Sequence, residues 1–244
     1  WRSIAERTLE AFRQIPATLK QKEQVRATDA AARRMIRYCN VLGVRDALSA
    51  IGEIDHQVRT LREYVTSKQR PQEPARVRSV ASIVSESISS LDEFAHSKDV
   101  EFRCEVDGKL MVSVNERDMA RAFTNVLHNA VKYSWTRSTD EPPWVAVKAR
   151  TSDGMVFVSI ESWGVPIPKE EIEKDLVFKI GFRGRLSSDR LRPGTGVGLA
   201  DSRRVVRAHG GDVTIRSEPS RNRDHQDFDQ PFITTVVISL PTHA

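Results

Sequence analysis

Asn125-Val126-Leu127-His128-Asn129-Ala130-Val131-Lys132-Tyr133-Ser134 is the stretch on which the fold turns. It ends an expected helix, Asn115–Lys132, with Asn115 as a plausible cap and Met119, Ala122, Phe123, Val126 and Leu127 on one face. Asn125 and Asn129 lie one turn apart and share a face of that helix. Working outward, Val77–His96 reads as a helix. Val100–Val106 and Leu110–Val114 read as strands flanking a turn at Asp107–Gly108. Val145–Arg150 and Met155–Ile160 form an expected hairpin turning at Asp153–Gly154. Thr195–His209 is helical and stops at Gly210–Gly211, as a helix needing a left-handed cap does. Val213–Ser217 and Ile233–Leu240 are the closing strands. Helices and strands in mixed order, without an internal repeat, give an α+β fold, a two-layer α/β sandwich.

The first part of the chain has a different grammar. Residues 1–69 hold only Gly43, Gly52 and Pro16 as breakers, and Met35, Cys39, Leu42, Leu48, Ile51, Ile54, Val58, Leu61 and Val65 recur at threes and fours. At least two amphipathic helices are expected, broken near Gly43–Asp46, and such helices need a partner, so a helical hairpin or dimeric bundle follows. Gln69–Ala75, with Pro71 and Pro74 and no large apolar residue, is a linker. The expected organisation is a helical hairpin over 1–69, a linker over 70–76 and a second domain over 77–244.

The formal charge of +5 is also divided unevenly. Residues 1–75 hold 14 Lys and Arg against 9 Asp and Glu, leaving 24 of each in the remainder (38 − 14 and 33 − 9). Acids are interleaved and few aromatics accompany the arginines, so no nucleic-acid partner is expected. The apolar runs are strand-sized, far short of the roughly 18 residues of a membrane span. Trp1–Glu10 is charged and helix-like, unlike a signal peptide, and without an initiating Met the chain is expected to be a piece of a longer one. Cys39 and Cys104 form neither a disulfide framework nor a metal motif, which fits a reducing, cytoplasmic setting.

Arg192-Pro193-Gly194-Thr195-Gly196-Val197-Gly198-Leu199 places glycines at alternate positions just before a helix. Such backbone approaches a ligand closely and, with the helix N-terminus, suits phosphate. It is not a P-loop, since no Gly-Lys-Ser/Thr follows, and a polar loop precedes it where a dinucleotide fingerprint has a buried strand.

Taken in order, these segments resemble the GHKL ATP-binding superfamily, most nearly the catalytic domain of sensor histidine kinases. Asn125–Ser134 resembles the N box. Ile160-Glu161-Ser162-Trp163-Gly164-Val165-Pro166-Ile167-Pro168 resembles the first glycine box. Phe178, Gly181-Phe182-Arg183-Gly184 and Pro193–Leu199 resemble the F box, mobile lid and second glycine box. His209-Gly210-Gly211-Asp212-Val213 and Thr235–Pro241 match the kinase ending, and the likeness covers about 77–241. The resemblance implies ATP and Mg²⁺ as ligands. Asn129 would hold Mg²⁺ through its side-chain carbonyl. Asn125, its catalytic companion, stands where hydrolysing members carry a Glu; an amide cannot act as a general base, which favours phosphoryl transfer or nucleotide binding over hydrolysis. Lys132 would meet a phosphate or else be an exposed helix-end lysine. Tyr133 would cover the nucleotide or pack in the core, and Arg183 would touch phosphate or be solvated. Backbone N–H groups of Gly194, Thr195, Gly196, Val197, Gly198 and Leu199 would wrap the phosphates when a lid at about Arg185–Arg192 closes.

Two departures qualify this. Ser162 stands where the family has the Asp that accepts the adenine amino hydrogen bond; with Gly164 beside it and Thr235 assisting, a neutral hydroxyl predicts weaker adenine selection. Pro166 replaces the second glycine of that box, and Trp163, replacing a small polar residue, lines the base pocket or packs inside. No phosphoacceptor His lies at about Leu19–Thr28, where Lys22-Glu23 is the nearest echo of a His-Glu pair. His56 is the only His before the linker and is expected to be solvated or packed. The resemblance thus implies a homodimer through residues 1–69 that passes a γ-phosphoryl group to a His, with a response-regulator-like or His-bearing partner. The alternative is a nucleotide-binding pseudokinase.

Overall fold

The computed structural model describes residues 56, 58, 60, 74–135, 142–188, 195–221 and 224–243. The chain divides into two compact units, Trp1–Glu53 and Ile54–Ala244, and every described residue belongs to the second. The expected hairpin over 1–69 lies outside the described residues apart from His56, Val58 and Thr60, which are helical.

Along the second unit run β1 (Arg76–Ser79), α1 (Val80–Ser89), α2 (Asp92–Ser97), β2 (Glu101–Glu105), β3 (Met111–Val114), α3 (Glu116–Lys132), β4 (Trp144–Ser152), β5 (Met155–Gly164), α4 (Lys169–Glu173), a 3-10 turn (Leu176–Phe178), α5 (Arg185–Ser188), α6 (Gly198–Ala208), β6 (Asp212–Pro219) and β7 (Phe232–Pro241). A five-stranded sheet has the order β2-β4-β5-β7-β6, and β1 and β3 form a separate two-stranded ribbon. Only β2 and β4 pair in parallel; the other pairs are antiparallel. Strands β2 and β6 are the edges, and most of β2 is exposed.

Two expectations needed revision. Val77–His96 is not one helix: Arg76–Ser79 is strand, and the helix is split between α1 and α2. Arg76–Ser79 pair with Met111–Val114 in register, and the Ser79 hydroxyl donates to the Gly108 carbonyl at 2.9 Å. At the split, Ser87 and Ser90 hydroxyls donate to the carbonyls of Ile83 and Ser87, the local competition by which serines end helices. The strands around Asp107–Gly108 form but do not pair with each other; β2 joins the large sheet and β3 the ribbon.

Helix α3 packs against both α1 and α6, and α3 and α6 lie on the large sheet. Strand β5 alternates, with Val156, Val158 and Ile160 buried against the helices and the intervening residues only half-buried. Phe123, Met119 and Leu127 of α3 are fully buried, each contributing about 1.5–3 kcal/mol of transfer free energy. Asn115 caps α3 as expected, its side chain accepting from Asp118 N–H at 3.0 Å. Its own N–H donates to His209 Nε2 at 3.0 Å, while His209 Nδ1 meets the Val205 carbonyl at 2.8 Å, so the end of α6 holds the start of α3. The two helices are also tied by the fully buried Asp201, which accepts from Arg121 Nε at 2.8 Å and Arg204 Nη2 at 2.7 Å. Ser202 Oγ donates across to the Ala122 carbonyl at 3.1 Å.

Candidate functional site

The second half of α3 forms one wall of a cavity. Asn125, His128, Asn129 and Lys132 recur at threes and fours, so the face that carries them is continuous. Asn125, His128 and Lys132 are buried despite being polar. Lys132 is therefore not an exposed helix-end lysine: it lines the cavity, with its ammonium 5.4 Å from the centroid of the Tyr133 ring. Tyr133 lines the cavity too, and its carbonyl accepts from Val165 N–H at 2.8 Å. A Cβ on Gly164 would stand 2.5 Å from that carbonyl oxygen, so the close approach of β5 to the end of α3 requires glycine.

The start of α6 faces the same asparagines. A Cβ built on Gly198 would lie 3.7 Å from Asn129 Nδ2 and 3.8 Å from Asn125 Cβ. This helix begins without a side-chain cap, leaving its first N–H groups to other partners. Thr195, Gly196, Gly198 and Leu199 line the cavity, whereas Val197 is buried just behind it. Gly196 has φ +67°, and a Cβ there would meet the Phe182 carbonyl at 2.5 Å; its own carbonyl accepts from Gly181 N–H at 3.0 Å. Thus the second glycine box and the F-box segment are held together. Phe182 and the exposed Arg183 line the cavity beside them. Gly194 and half of the expected lid, residues 189–192, lie outside the described residues. Arg185 N–H donates to Glu171 Oε1 at 3.0 Å, and Glu171 Oε2 is buried without a hydrogen-bond partner.

The sheet supplies the floor. Ile160, Val236 and Ile215 are register partners across β5, β7 and β6 and form an apolar row. The next row across the same strands is Ser162, Thr234 and Ser217. Ser162 and Thr234 line the cavity; Thr235 does not. Successive strand residues point to opposite faces, so Thr235, the partner of Glu161, belongs to the other side of the sheet. The hydroxyl that lines the cavity beside Ser162 is that of Thr234. Trp163 is likewise on the far face, where its indole donates to Ser220 Oγ at 3.1 Å, and it is not among the lining residues.

Sequence reasoning missed the aromatic and hydroxyl partners of the N box. His56 is packed, as one of its readings had it: its ring stacks on His128 at 3.7 Å between centroids, and His128 stacks in turn on Phe94 at 4.6 Å. Burial, reinforced by His56, Lys132 and Lys98, pushes the His128 pKa down to about 2, so the ring is neutral at physiological pH. Thr60 Oγ donates to Asn125 Oδ1 at 3.2 Å, and Asn125 Nδ2 is buried without a hydrogen-bond partner. The three-residue spacing of His128 from Asn125 was available in the sequence; no local pattern pointed to Thr60 or Glu171.

For a divalent cation the donor set is spare. Among the described residues no group of three or more His, Cys, Asp or Glu could hold a metal ion. An Asn129 side-chain oxygen together with phosphate oxygens and water is a set that fits Mg²⁺, which keeps several waters and takes few protein ligands.

This arrangement, two box asparagines beneath an uncapped helix start with a buried lysine alongside, suits a phosphate-bearing ligand. The family described as histidine kinase-, DNA gyrase B-, and HSP90-like ATPase matches residues 114–244, and the chain belongs to it. The chain is 31% identical over 154 residues to sensor histidine kinase WalK of Bacillus subtilis (strain 168), covering 62% of this chain and 23% of WalK. To sensor histidine kinase CusS of Escherichia coli (strain K12) it is 32% identical over 132 residues, covering 54% and 26%. The chain thus spans about a quarter of the length of these relatives. Among solved structures, a mycobacterial sensor histidine kinase, MprB, superposes with a TM-score of 0.55 at 27% identity, covering 69% of this chain and 98% of that one. Full-length ShkA in complex with AMPPNP shares the fold at a TM-score of 0.54 and 16% identity, covering 99% of this chain and 45% of that one. The α/β sandwich and the family expected from the sequence are both borne out. Among the described residues no helix is long and apolar enough to cross a membrane.

Proposed function

We propose that this chain binds Mg·ATP in the cavity between α3, α6 and the sheet and passes the γ-phosphoryl group to a histidine in two-component signalling. The observation that carries this reading is the convergence of Asn125, Asn129 and Lys132 on the uncapped N-terminus of α6 within one cavity. Phosphoryl transfer asks the protein mainly to position and neutralise. Lys132 supplies a buried cation, Arg183 a second one at the mouth, and the N–H groups of Thr195–Leu199 a fixed partial positive field. Asn129 would hold Mg²⁺, which when bound neutralises charge on the phosphates. Asn125 orients by hydrogen bonding and takes no proton, so hydrolysis is not the favoured outcome. In this reading residues 1–69 dimerise the protein in the cytoplasm, the linker 70–76 joins them to the domain, and a response-regulator-like or His-bearing protein is the partner.

One observation favours a second reading, a nucleotide-binding module without transfer. The two described histidines that line the cavity, His56 and His128, are stacked on each other instead of facing the glycine box. The test has two steps. Calorimetry should show ATP binding that depends on Mg²⁺ and is lost in Asn129→Ala. Incubation with γ-labelled ATP should then leave acid-labile label on the chain or its partner. Binding without label selects the second reading, and binding indifferent to Asn129 and Mg²⁺ overturns both.

A further inference from the structure

The row Ser162, Thr234 and Ser217 carries a consequence for which nucleotide this site accepts. Each member is directly opposite the next, across β5, β7 and β6, and all three share the face that floors the cavity. Directly opposed residues hold their Cβ atoms about 4.5–5.5 Å apart, so three hydroxyls form a ladder. Ser217 Oγ accepts from Ile167 N–H at 3.2 Å, and it lies 3.0 Å from Thr234 Oγ1 in a bond where either oxygen can donate. The neighbouring row, Ile160, Val236 and Ile215, is apolar. A flat ring resting on the apolar row would present its edge to the hydroxyls. The only carboxylate among the described lining residues, Glu171, is turned toward Gly184 and Arg185.

We propose that this ladder is a purine reader of reversible polarity, accepting guanine as well as adenine nucleotides. The inference rests on the nucleotide-binding reading above. Adenine offers an amino donor beside a ring-nitrogen acceptor; guanine offers a carbonyl acceptor beside a ring N–H donor, the opposite pattern. A hydroxyl both donates and accepts, and its hydrogen rotates to suit. Against adenine, Thr234 accepts the amino hydrogen and sends its own hydrogen to Ser217. Against guanine, Thr234 donates to the carbonyl and Ser217 donates to Thr234. Ser162, opposite Thr234, reverses in the same sense at the exocyclic group, accepting the other amino hydrogen of adenine or donating to the carbonyl of guanine. A carboxylate in the row would accept only and would fix the choice.

The experiment is titration of the full chain with ADP and GDP, which avoids transfer. The two dissociation constants are expected to agree within about tenfold, a difference of at most ~1.4 kcal/mol. Ser162→Asp should shift the ratio toward ADP by about tenfold or more, since a carboxylate strengthens the bond to the amino group and repels the carbonyl. Ser217→Ala should shift it the other way, because Thr234 then loses the acceptor for its hydrogen in the adenine arrangement. A wild-type preference beyond about tenfold, or variants that bind with an unchanged ratio, overturns the proposal and leaves the nucleotide-binding reading standing. Failure of both nucleotides to bind overturns both.

Discussion

Replacing Asp201 by Ala tests the contact between the N-box helix and the glycine-box helix. Asp201 is fully buried and receives Arg121 through Oδ2 and Arg204 through Oδ1. Removing it leaves the Arg121 guanidinium, whose side chain is only 11% exposed, beside the Asp118 carboxylate at 2.9 Å with the buried Asp201 charge gone. Breaking a buried pair by deleting one partner costs about 3–5 kcal/mol, much of it the unpaired charge left behind. Because Asp118 persists and the Arg204 side chain is 39% exposed, the low end applies, about 3 kcal/mol. For a domain of this size each kcal/mol moves the melting temperature by roughly 2–4 °C, so a fall of about 6–12 °C is expected. Urea unfolding of Asp201→Ala, Arg121→Ala and the double variant completes a cycle. Two contacting residues in one network should show a coupling of at least about 1 kcal/mol, with the double variant less damaged than the sum. A single-variant loss below about 1 kcal/mol, or losses that simply add, would refute the claim that this pair ties α3 to α6.

Further outcomes follow from the site. Gly164→Ala should destabilise by about 1–3 kcal/mol and weaken ATP binding, since its Cβ collides with the Tyr133 carbonyl; thermal melts and calorimetry measure the two effects. Gly196→Ala adds a side chain at positive φ against Phe182 and should weaken triphosphate binding by prying the glycine box from the F-box segment, read as a higher dissociation constant. His128 titrates near 2 in the fold against about 6.5 unfolded, so the unfolded chain binds its proton first. Its contribution is full above about pH 6.5 and declines as pH falls, by up to ~1.4 kcal/mol per unit. Urea midpoints at pH 7.5 and 5.5 should differ less in His128→Phe than in the wild type. Asp212, held well below the usual carboxylate range by Arg203 and then Arg207, adds a separate loss that begins only below about pH 4.

The four sequence blocks were legible because each is local: a helix with two amides one turn apart, and glycines whose spacing survives without knowledge of the fold. Thr234 was missed in favour of Thr235 because pointing direction depends on strand register, set by Ser162 pairing with Thr234 across a connection of many residues. The strand Arg76–Ser79 was divided between the linker (Arg76) and a helix (Val77–Ser79) because four residues carry too little period to outvote the helical run after them. The burial of Lys132 and the Thr60–Asn125 bond arise from tertiary packing, which no window on the sequence contains. His209 was read as part of a closing motif, and its hydrogen bond to the cap of α3 gives that motif a structural task.

The edges of the large sheet bear on solubility. On β2, Glu101, Arg103 and Glu105 are exposed, with Arg103 bonded to Glu101 at 2.9 Å and Glu105 3.4 Å from Lys148 on the adjacent strand. On β6, Arg216 and Glu218 are exposed. Charged edges are poor templates for a foreign strand, so the sheet resists growing from one molecule into the next. Exchanging Glu101, Arg103 and Glu105 for Val would leave the cavity untouched and make β2 a seed for fibrous aggregates.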